Sequence, residues 1–194
     1  EMVATRMMEQ AARRRLCRVV VVNKIDGDTV DLPALLAAIQ EAFGKECLPI
    51  NLPADGGKRV VDCFFNPAGT ADFSSIEAAH RALVDQVVEV DEDLMAIYLE
   101  KGEVTPQQLH EPFEKALREG HLIPVCFVSA RNDVGIKELM DIFAHLCPSP
   151  LEGNPRPFEY TKNGEKVNYA CTADPKKPLV AHVFKVSSDP YVGK

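Results

Sequence analysis

The chain has 194 residues, of which 46% are hydrophobic and 26% charged, a composition typical of a globular protein with one large or two small cores. The net charge of −7 argues against binding of nucleic acid by bulk positive charge, and no apolar stretch approaches the roughly 20 residues that span a bilayer. The six cysteines form no C-x-x-C pair, which favours reduced thiols over a disulfide or zinc framework. We therefore expect a cytoplasmic location, with neither a membrane nor specific DNA as a partner.

The N-terminal part of the chain predicts a helix, a buried strand and a second helix. Residues 2–15 place apolar side chains near the helical period. Residues 17–22 include four consecutive valines, which is typical of a strand covered on both faces and hence of a parallel strand. Asp31 is placed to cap a helix over residues 32–43, and Gly44 is placed to end it.

The middle of the chain predicts two short strands followed by three helices. Residues 47–52 and 59–65 are strand-like runs joined by the turn-forming segment PADGGK. Helices are predicted over residues 73–89, 90–102 and 105–120, and the last two stop at a glycine.

A second buried strand and another helix come next. The strand is HLIPVCFVSA, residues 121–130, and the helix covers residues 134–147. One apolar stripe is predicted along that helix, made of Ile136, Leu139, Met140, Phe143 and Leu146.

The composition changes after Cys147. Residues 148–178 are rich in proline and lack a long apolar run, which predicts a linker with one hairpin around Asn163 and Gly164. Residues 178–194 then predict a final strand without a later partner.

The spacing of the two buried strands indicates an insertion. A crossover between parallel strands needs only about a dozen residues, and the helix at 32–43 already provides them, yet the second buried strand begins near residue 122. The simplest interpretation is that residues 46–118 form an α+β subdomain inserted into an α/β domain. The alternative is one continuous sheet that uses every strand in turn.

Three polar residues follow the first buried strand, where α/β sheets bind ligands. The two carboxylate oxygens of Asp26 match the adjacent N1–H and amine donors of guanine, whereas adenine has the inverted pattern. Lys24 can lay its methylene stem over a flat base, and Asn23 can join the loop to its neighbours. The alternative interpretation is that this segment is only a turn that ends a strand.

Ser129 and Ala130 follow the second buried strand in the same way. The small Ala130 would let a backbone N–H reach the O6 atom of guanine, and the Ser129 hydroxyl would brace Asp26. The two loops together predict a site that recognises a guanine base.

With these residues the chain resembles a known family. VVNKID and FVSA are similar to the fourth and fifth guanine-specificity motifs of translational GTPases, and the order of the remaining segments resembles bacterial elongation factor G. Those segments are VDEDLMAIYLEKGEVTPQQL, HLIPVCFVSARNDVGIKELMDIFAHLCPSP and PLVAHVFKVSSDPYVGK. The resemblance covers essentially the whole chain.

The resemblance implies a P-loop-type GTPase sheet interrupted by an inserted subdomain, called G′, and followed by a β-barrel domain. In this chain it implies the C-terminal half of the G domain, the G′ insertion, the last G-domain strand and helix, a linker and the start of the barrel. These segments are residues 1–45, 46–118, 119–147, 148–178 and 179–194.

The chain also departs from the family pattern. The phosphate-binding loop, the switch threonine and the D-x-P-G-H segment of the family are expected upstream of Glu1, and the DGGK segment at 55–58 is a turn rather than a substitute. Gly27 stands where the family often has arginine, and Val128 stands where it often has glycine. The part of the insertion between Gly57 and Phe73 is shorter than the family pattern implies. The last two departures suggest a divergent paralogue, and the missing phosphate-binding segments suggest a fragment without catalytic residues or metal ligands.

The function implied is that of a translational GTPase acting on the ribosome in translocation or a related step, with GTP hydrolysis and Mg²⁺ in the full-length protein. One alternative is a ribosome-interaction module with a vestigial nucleotide site, and another is a GTPase of the ribosome-protection or release-factor type. The inserted helices resemble the surface by which the family meets the ribosomal stalk.

Two charged segments have simpler interpretations than a binding site. The acidic residues 89–93 indicate helix capping rather than calcium binding, and the arginines at 13–15 indicate a solvated helix end rather than an RNA contact.

Overall fold

The computed structural model of the protein describes residues 2–27, 30–102, 104–149, 151–154, 157–169, 172, 174–177, 179–181 and 183–187. The chain divides into two compact units, residues 1–154 and 155–194. The helices of the described residues are α1 (Met2–Arg13), α2 (Leu32–Phe43), α3 (Ile76–Val88), α4 (Glu92–Lys101), α5 (Pro106–Glu119) and α6 (Ile136–His145). The strands are β1 (Val20–Val22), β2 (Cys47–Pro49), β3 (Asn51–Ala54), β4 (Arg59–Asp62), β5 (Ile123–Phe127), β6 (Phe158–Lys162) and β7 (Glu165–Tyr169).

A parallel sheet with the strand order β1-β5-β2 organises the first unit. All residues of β5 are buried, as expected for the central strand of a sheet covered on both faces. In β1 the expectation holds only in part, because Val22 is buried while Val21 is 43% exposed. The parallel arrangement predicted for the two buried strands is therefore confirmed. The prediction that both faces of the first strand are covered is wrong at Val21.

The strand β2 belongs to this parallel sheet, although it begins at the first residues of the predicted insertion. Its neighbour Ile50 donates from its backbone N–H to the Val125 carbonyl at 3.0 Å. The Asn51 side chain then takes the place of a backbone partner: it accepts from the Phe127 N–H at 2.7 Å and donates to the Phe127 carbonyl at 3.1 Å. Residues 47–51 thus extend the sheet, whereas β3 and β4 form a separate antiparallel hairpin. The wider division at residues 46 and 118 stays a prediction.

The start of α2 after Asp31 agrees with the prediction, whereas the helices predicted over residues 73–89 and 90–102 begin later, at Ile76 and Glu92. The side chains of Asp31, Ser75, Asp91 and Thr105 each accept a hydrogen bond from a backbone N–H in the first turn of α2, α3, α4 and α5. Gly102 and Gly120 end their helices in the left-handed conformation that favours glycine. The acidic segment before α4 therefore includes a helix cap, as predicted.

The apolar stripe predicted along α6 is wrong at two positions. Leu139 and Leu146 are buried, together with Ile142, which the predicted stripe left out. Met140 is 49% exposed and Phe143 is 43% exposed. Since successive helical residues are about 100° apart, Met140 lies well outside the face centred on Leu139 and Ile142.

The second unit contains the predicted hairpin. Strands β6 and β7 pair in antiparallel register, and the turn places Asn163 at φ 54° and Gly164 at φ 87°. Two central residues with positive φ match the right-handed twist of a two-residue hairpin, so this prediction is confirmed. The predicted final strand is not found in residues 179–181 and 183–187, and the rest of that segment lies outside the described residues.

Five of the six cysteines lie among the described residues, and each carries a free thiol. Burial raises the pKa of Cys47 to about 11 and the pKa of Cys63 and Cys126 to about 12. No helix in the described part of the chain is long and apolar enough to cross a membrane.

Replacing Asn51 by alanine should destabilise the first unit. The Asn51 side chain is buried, and its loss leaves the N–H and the carbonyl of Phe127 without partners inside the protein. Each unpaired buried group costs about 1–3 kcal/mol, so we expect the free energy of unfolding to fall by roughly 2–5 kcal/mol. Urea denaturation measures this change, with the exposed Asn66→Ala as the matched control. Equal stabilities of the two variants would contradict the role assigned to Asn51.

Candidate guanine-recognition site

The ends of β1 and β5 bring the two predicted loops together. The register pairs Val22 with Phe127, and the hydrogen-bond ladder continues beyond the strands. The Val128 N–H donates to the Val22 carbonyl at 2.9 Å, and the Ile25 N–H donates to the Val128 carbonyl at 3.3 Å. Ile25 is buried, so its side chain anchors the start of the loop after β1 on the core.

Asn23 links the two loops directly. Its Oδ1 atom accepts from the backbone N–H of Lys24 at 2.8 Å and from the backbone N–H of Ala130 at 3.0 Å. This is the linking role expected for Asn23. The Ala130 N–H, expected to face guanine O6, is engaged by Asn23 here, and a base oxygen would have to share or displace that bond.

Lys24 occupies the tip of the first loop. Its backbone has φ 66°, and the Gly27 N–H closes a tight turn on the Lys24 carbonyl at 3.2 Å. The Lys24 side chain is exposed and so has room to cover a planar ligand. The segment is thus a turn, but a turn of this geometry presents the predicted side chains rather than excluding a site.

Asp26 is partly buried beside the second loop. Its Oδ2 atom accepts from Asn132 Nδ2 at 3.1 Å. The nearby Ser129 hydroxyl is the largest influence that holds the pKa of Asp26 below its ordinary value of 3.8, followed by the backbone N–H of Asp26, with smaller contributions from Arg131 and Asn132. The carboxylate is therefore ionised at neutral pH, which is the form that accepts two hydrogen bonds.

Ser129 is fully buried, and its hydroxyl has no hydrogen-bond partner among the described residues. The bracing hydrogen bond predicted between Ser129 and Asp26 is therefore not formed in this structure, although the nearby hydroxyl still lowers the pKa of Asp26. The backbone of Ser129 is fixed by a reciprocal pair of hydrogen bonds with Val134. The hydroxyl remains a polar group that a shift of Asp26 or a ligand would satisfy.

The sequence interpretation missed Asn132. The residue lies in the exposed loop after Ala130, and its only signal in the sequence is the polar triplet Arg-Asn-Asp directly after a buried strand. Its contact with Asp26 joins residues 106 positions apart. Only the pairing of β1 with β5 brings the two together.

The described residues do not fit a metal site. No group of three or more His, Cys, Asp or Glu side chains among them is placed to hold an ion.

Comparison with known proteins identifies the family. A family model described as the elongation factor Tu GTP binding domain matches residues 1–149. The chain belongs to this family. The resemblance to translational GTPases that the two motifs indicated is thereby confirmed.

The chain spans less than a third of the length of the relatives that it matches. The elongation factor G-like protein of Mycobacterium tuberculosis, in strains CDC 1551 / Oshkosh and H37Rv, is 34% identical over 206 residues, which cover 97% of this chain and 28% of that protein. Elongation factor G of Fervidobacterium nodosum is 28% identical over 204 residues, covering 95% of this chain and 29% of that protein. A crystal structure of a Thermus thermophilus protein matches with a TM-score of 0.63 and 32% identity, covering 76% of this chain and 24% of that one.

The Ser129→Ala variant should raise the pKa of Asp26, and Asn132→Ala should raise it less, because the serine is the larger influence. Since the folded-state pKa lies below the ordinary value of 3.8, the ionised Asp26 stabilises the fold at higher pH. That contribution is lost as the pH falls through the folded-state pKa. A carboxyl carbon titration by NMR on the two variants and the parent chain checks the order. An unchanged Asp26 pKa in Ser129→Ala would exclude the contact.

Proposed function

We propose that this chain supplies the guanine-recognition half of the nucleotide site of a translational GTPase similar to elongation factor G. The observation that supports this most strongly is the hydrogen bond from the Ala130 N–H to Asn23 Oδ1. It joins the loop that contains Asp26 to the loop that begins with Ser129. Five residues chosen from the sequence alone lie at one edge of one sheet. Membership of the GTP-binding family supports the proposal independently.

The chemistry favours guanine over other bases. An ionised Asp26 offers two acceptor oxygens to the N1–H and the exocyclic amine of guanine. Adenine presents an acceptor at the first of these positions, so one oxygen would be left facing a lone pair. An unsatisfied charged acceptor costs enough to discriminate between bases by orders of magnitude. Lys24 would lie over the base and Asn23 would hold both loops in place.

GTP hydrolysis is proposed for the full-length protein. In this class of enzyme catalysis comes from Mg²⁺, phosphate-binding amides and a positioned water. The residues of this chain would select and orient the base, which holds the rest of the nucleotide in register. The chain spans about 28% of the Mycobacterium tuberculosis relatives, and the phosphate-binding segments are proposed to lie in the remainder.

The proposed setting is the ribosome in the cytoplasm, in translocation or a related step. Identity to a protein named elongation factor G-like is higher than identity to the Fervidobacterium nodosum elongation factor G, which supports a paralogue. The helices α3, α4 and α5 are proposed to belong to the inserted subdomain. Their exposed faces are the proposed binding surface for the ribosomal stalk.

The Asp26→Asn variant of the full-length protein should exchange guanine preference for xanthine preference. Asparagine presents one donor and one acceptor, so its donor meets the amine of guanine but can pair with the carbonyl that xanthine carries instead. We expect GDP affinity to fall by about 2–4 kcal/mol and xanthosine diphosphate affinity to rise.

Competition binding with both nucleotides measures the exchange. Asp133→Asn is the matched control, since Asp133 is an exposed carboxylate near the second loop. If Asp26→Asn keeps the guanine preference, the segment is only a turn and the proposed site is wrong.

The 194-residue chain alone should bind GDP no tighter than about 1 mM, or roughly 4 kcal/mol, because base recognition acts without phosphate ligands. Calorimetric titration of the isolated chain tests this. Micromolar binding would show that phosphate ligands are present within the chain.

A further inference from the structure

The turn between β3 and β4 has an unusual backbone. Asp55, Gly56 and Gly57 are three consecutive residues with positive φ, at 55°, 67° and 73°. We call residues 55–57 the diglycine turn. Two glycines make the conformation accessible, but the space around them differs greatly.

Gly57 lies directly against the guanine loop. A Cβ atom on Gly57 would lie 2.3 Å from the carbonyl oxygen of Ile25 and 3.5 Å from the backbone nitrogen of Asp26. Any side chain at this position must therefore displace backbone atoms of the loop. A Cβ atom on Gly56 would have no atom within 4 Å. Only the second glycine of the turn is required by the contact.

Asp72 fixes the diglycine turn in this position. Its Oδ1 and Oδ2 atoms accept from the backbone N–H groups of Gly56 and Gly57, each at 3.1 Å. The Asp72 N–H donates to the Pro53 carbonyl at 2.8 Å, so the residue is itself anchored to β3. Hydrogen bonds from two amides to one carboxylate are charge-assisted and restrict the turn to one orientation.

The backbone of Ile25 is therefore in contact at both of its ends. Its N–H is bonded to the Val128 carbonyl, and its carbonyl, which belongs to the peptide group shared with Asp26, faces Gly57. The position of the Asp26 carboxylate above the sheet consequently depends on the backbone of Ile25. Neither contact involves the side chain that meets the base.

We propose that Gly57, held by Asp72, is a positioning residue that sets the location of the Asp26 carboxylate and thereby the selectivity for guanine. The proposal rests on the guanine site proposed above. The diglycine turn, which begins 29 positions after Asp26 in the sequence, would thus take part in nucleotide selection.

The test compares GDP with inosine diphosphate, which lacks only the exocyclic amine. The ratio of the two affinities reports the hydrogen bond from that amine to Asp26, and we expect the unmodified full-length protein to prefer GDP by roughly 10- to 100-fold. Gly57→Ala should reduce this preference to about threefold or less. Gly56→Ala carries the same left-handed backbone cost without the steric contact and should keep the preference within about twofold.

A purely structural role has a different signature. Destabilisation of the fold would weaken both nucleotides alike and leave their ratio unchanged. If Gly57→Ala retains the GDP preference of the unmodified protein, the proposal is overturned whatever happens to the thermal stability.

A second pair of variants decides the question if Gly57→Ala does not fold. Asp72→Asn replaces one of the two acceptors of the diglycine turn by a donor and should also lower the GDP preference. Asp55→Asn makes the same chemical change one residue before the turn glycines, where the carboxylate contacts Arg59, and should leave the preference unchanged. Equal ratios in these two variants would overturn the proposal.

Failure of the underlying function gives a separate result. If the unmodified full-length protein binds GDP and inosine diphosphate equally, the guanine site itself is refuted, and the role of Gly57 with it. If the unmodified protein prefers GDP and no variant at Gly57 or Asp72 alters the ratio, only the positioning role is refuted.

Discussion

Parallel pairing of β1 with β5 sets the positions of all the residues predicted to recognise a guanine base. Parallel strands end at the same edge of a sheet, so the loops that follow them must lie side by side. Here the ladder continues past the strands through Val128, which accepts from Ile25 and donates to Val22. Asn23 then joins the loops by accepting from Ala130. The short polar segment after the valines is thus positioned by the pairing of β1 with β5, whose residues are all buried.

The helix caps, the hairpin turn and the two strands of the site were predictable because each depends on local sequence signals. The caps at Asp31 and Thr105 and the hairpin turn at Asn163 depend on hydrogen bonds or backbone angles within a few residues, so the sequence at those points carries the information. The two buried strands were recognisable because β-branched or apolar runs bounded by polar residues leave few alternatives. The site residues followed from their places directly after these strands.

The remainder depends on contacts between distant segments. The sequence alone did not show that β2 pairs with β5 in the parallel sheet, or that the side chain of Asn51 bonds to the backbone of Phe127 across 76 positions. The sequence of α6 carries apolar residues on more than one face, so the exposure of Met140 and Phe143 depends on the segments that pack against the helix. The contact of Gly57 with Ile25 likewise exists only in the folded chain: the segment reads locally as an ordinary turn, and its glycine is explained by the loop it touches.

A crystal structure of the full-length protein with GDP bound tests the guanine site most directly. We expect both carboxylate oxygens of Asp26 to lie about 2.7–3.2 Å from N1 and from the exocyclic amine of the base. We also expect the Lys24 stem to cover the ring and Asn23 to link the two loops as it does here. A base bound elsewhere, or an Asp26 carboxylate that makes no contact with it, would show that these two loops do not form a guanine site.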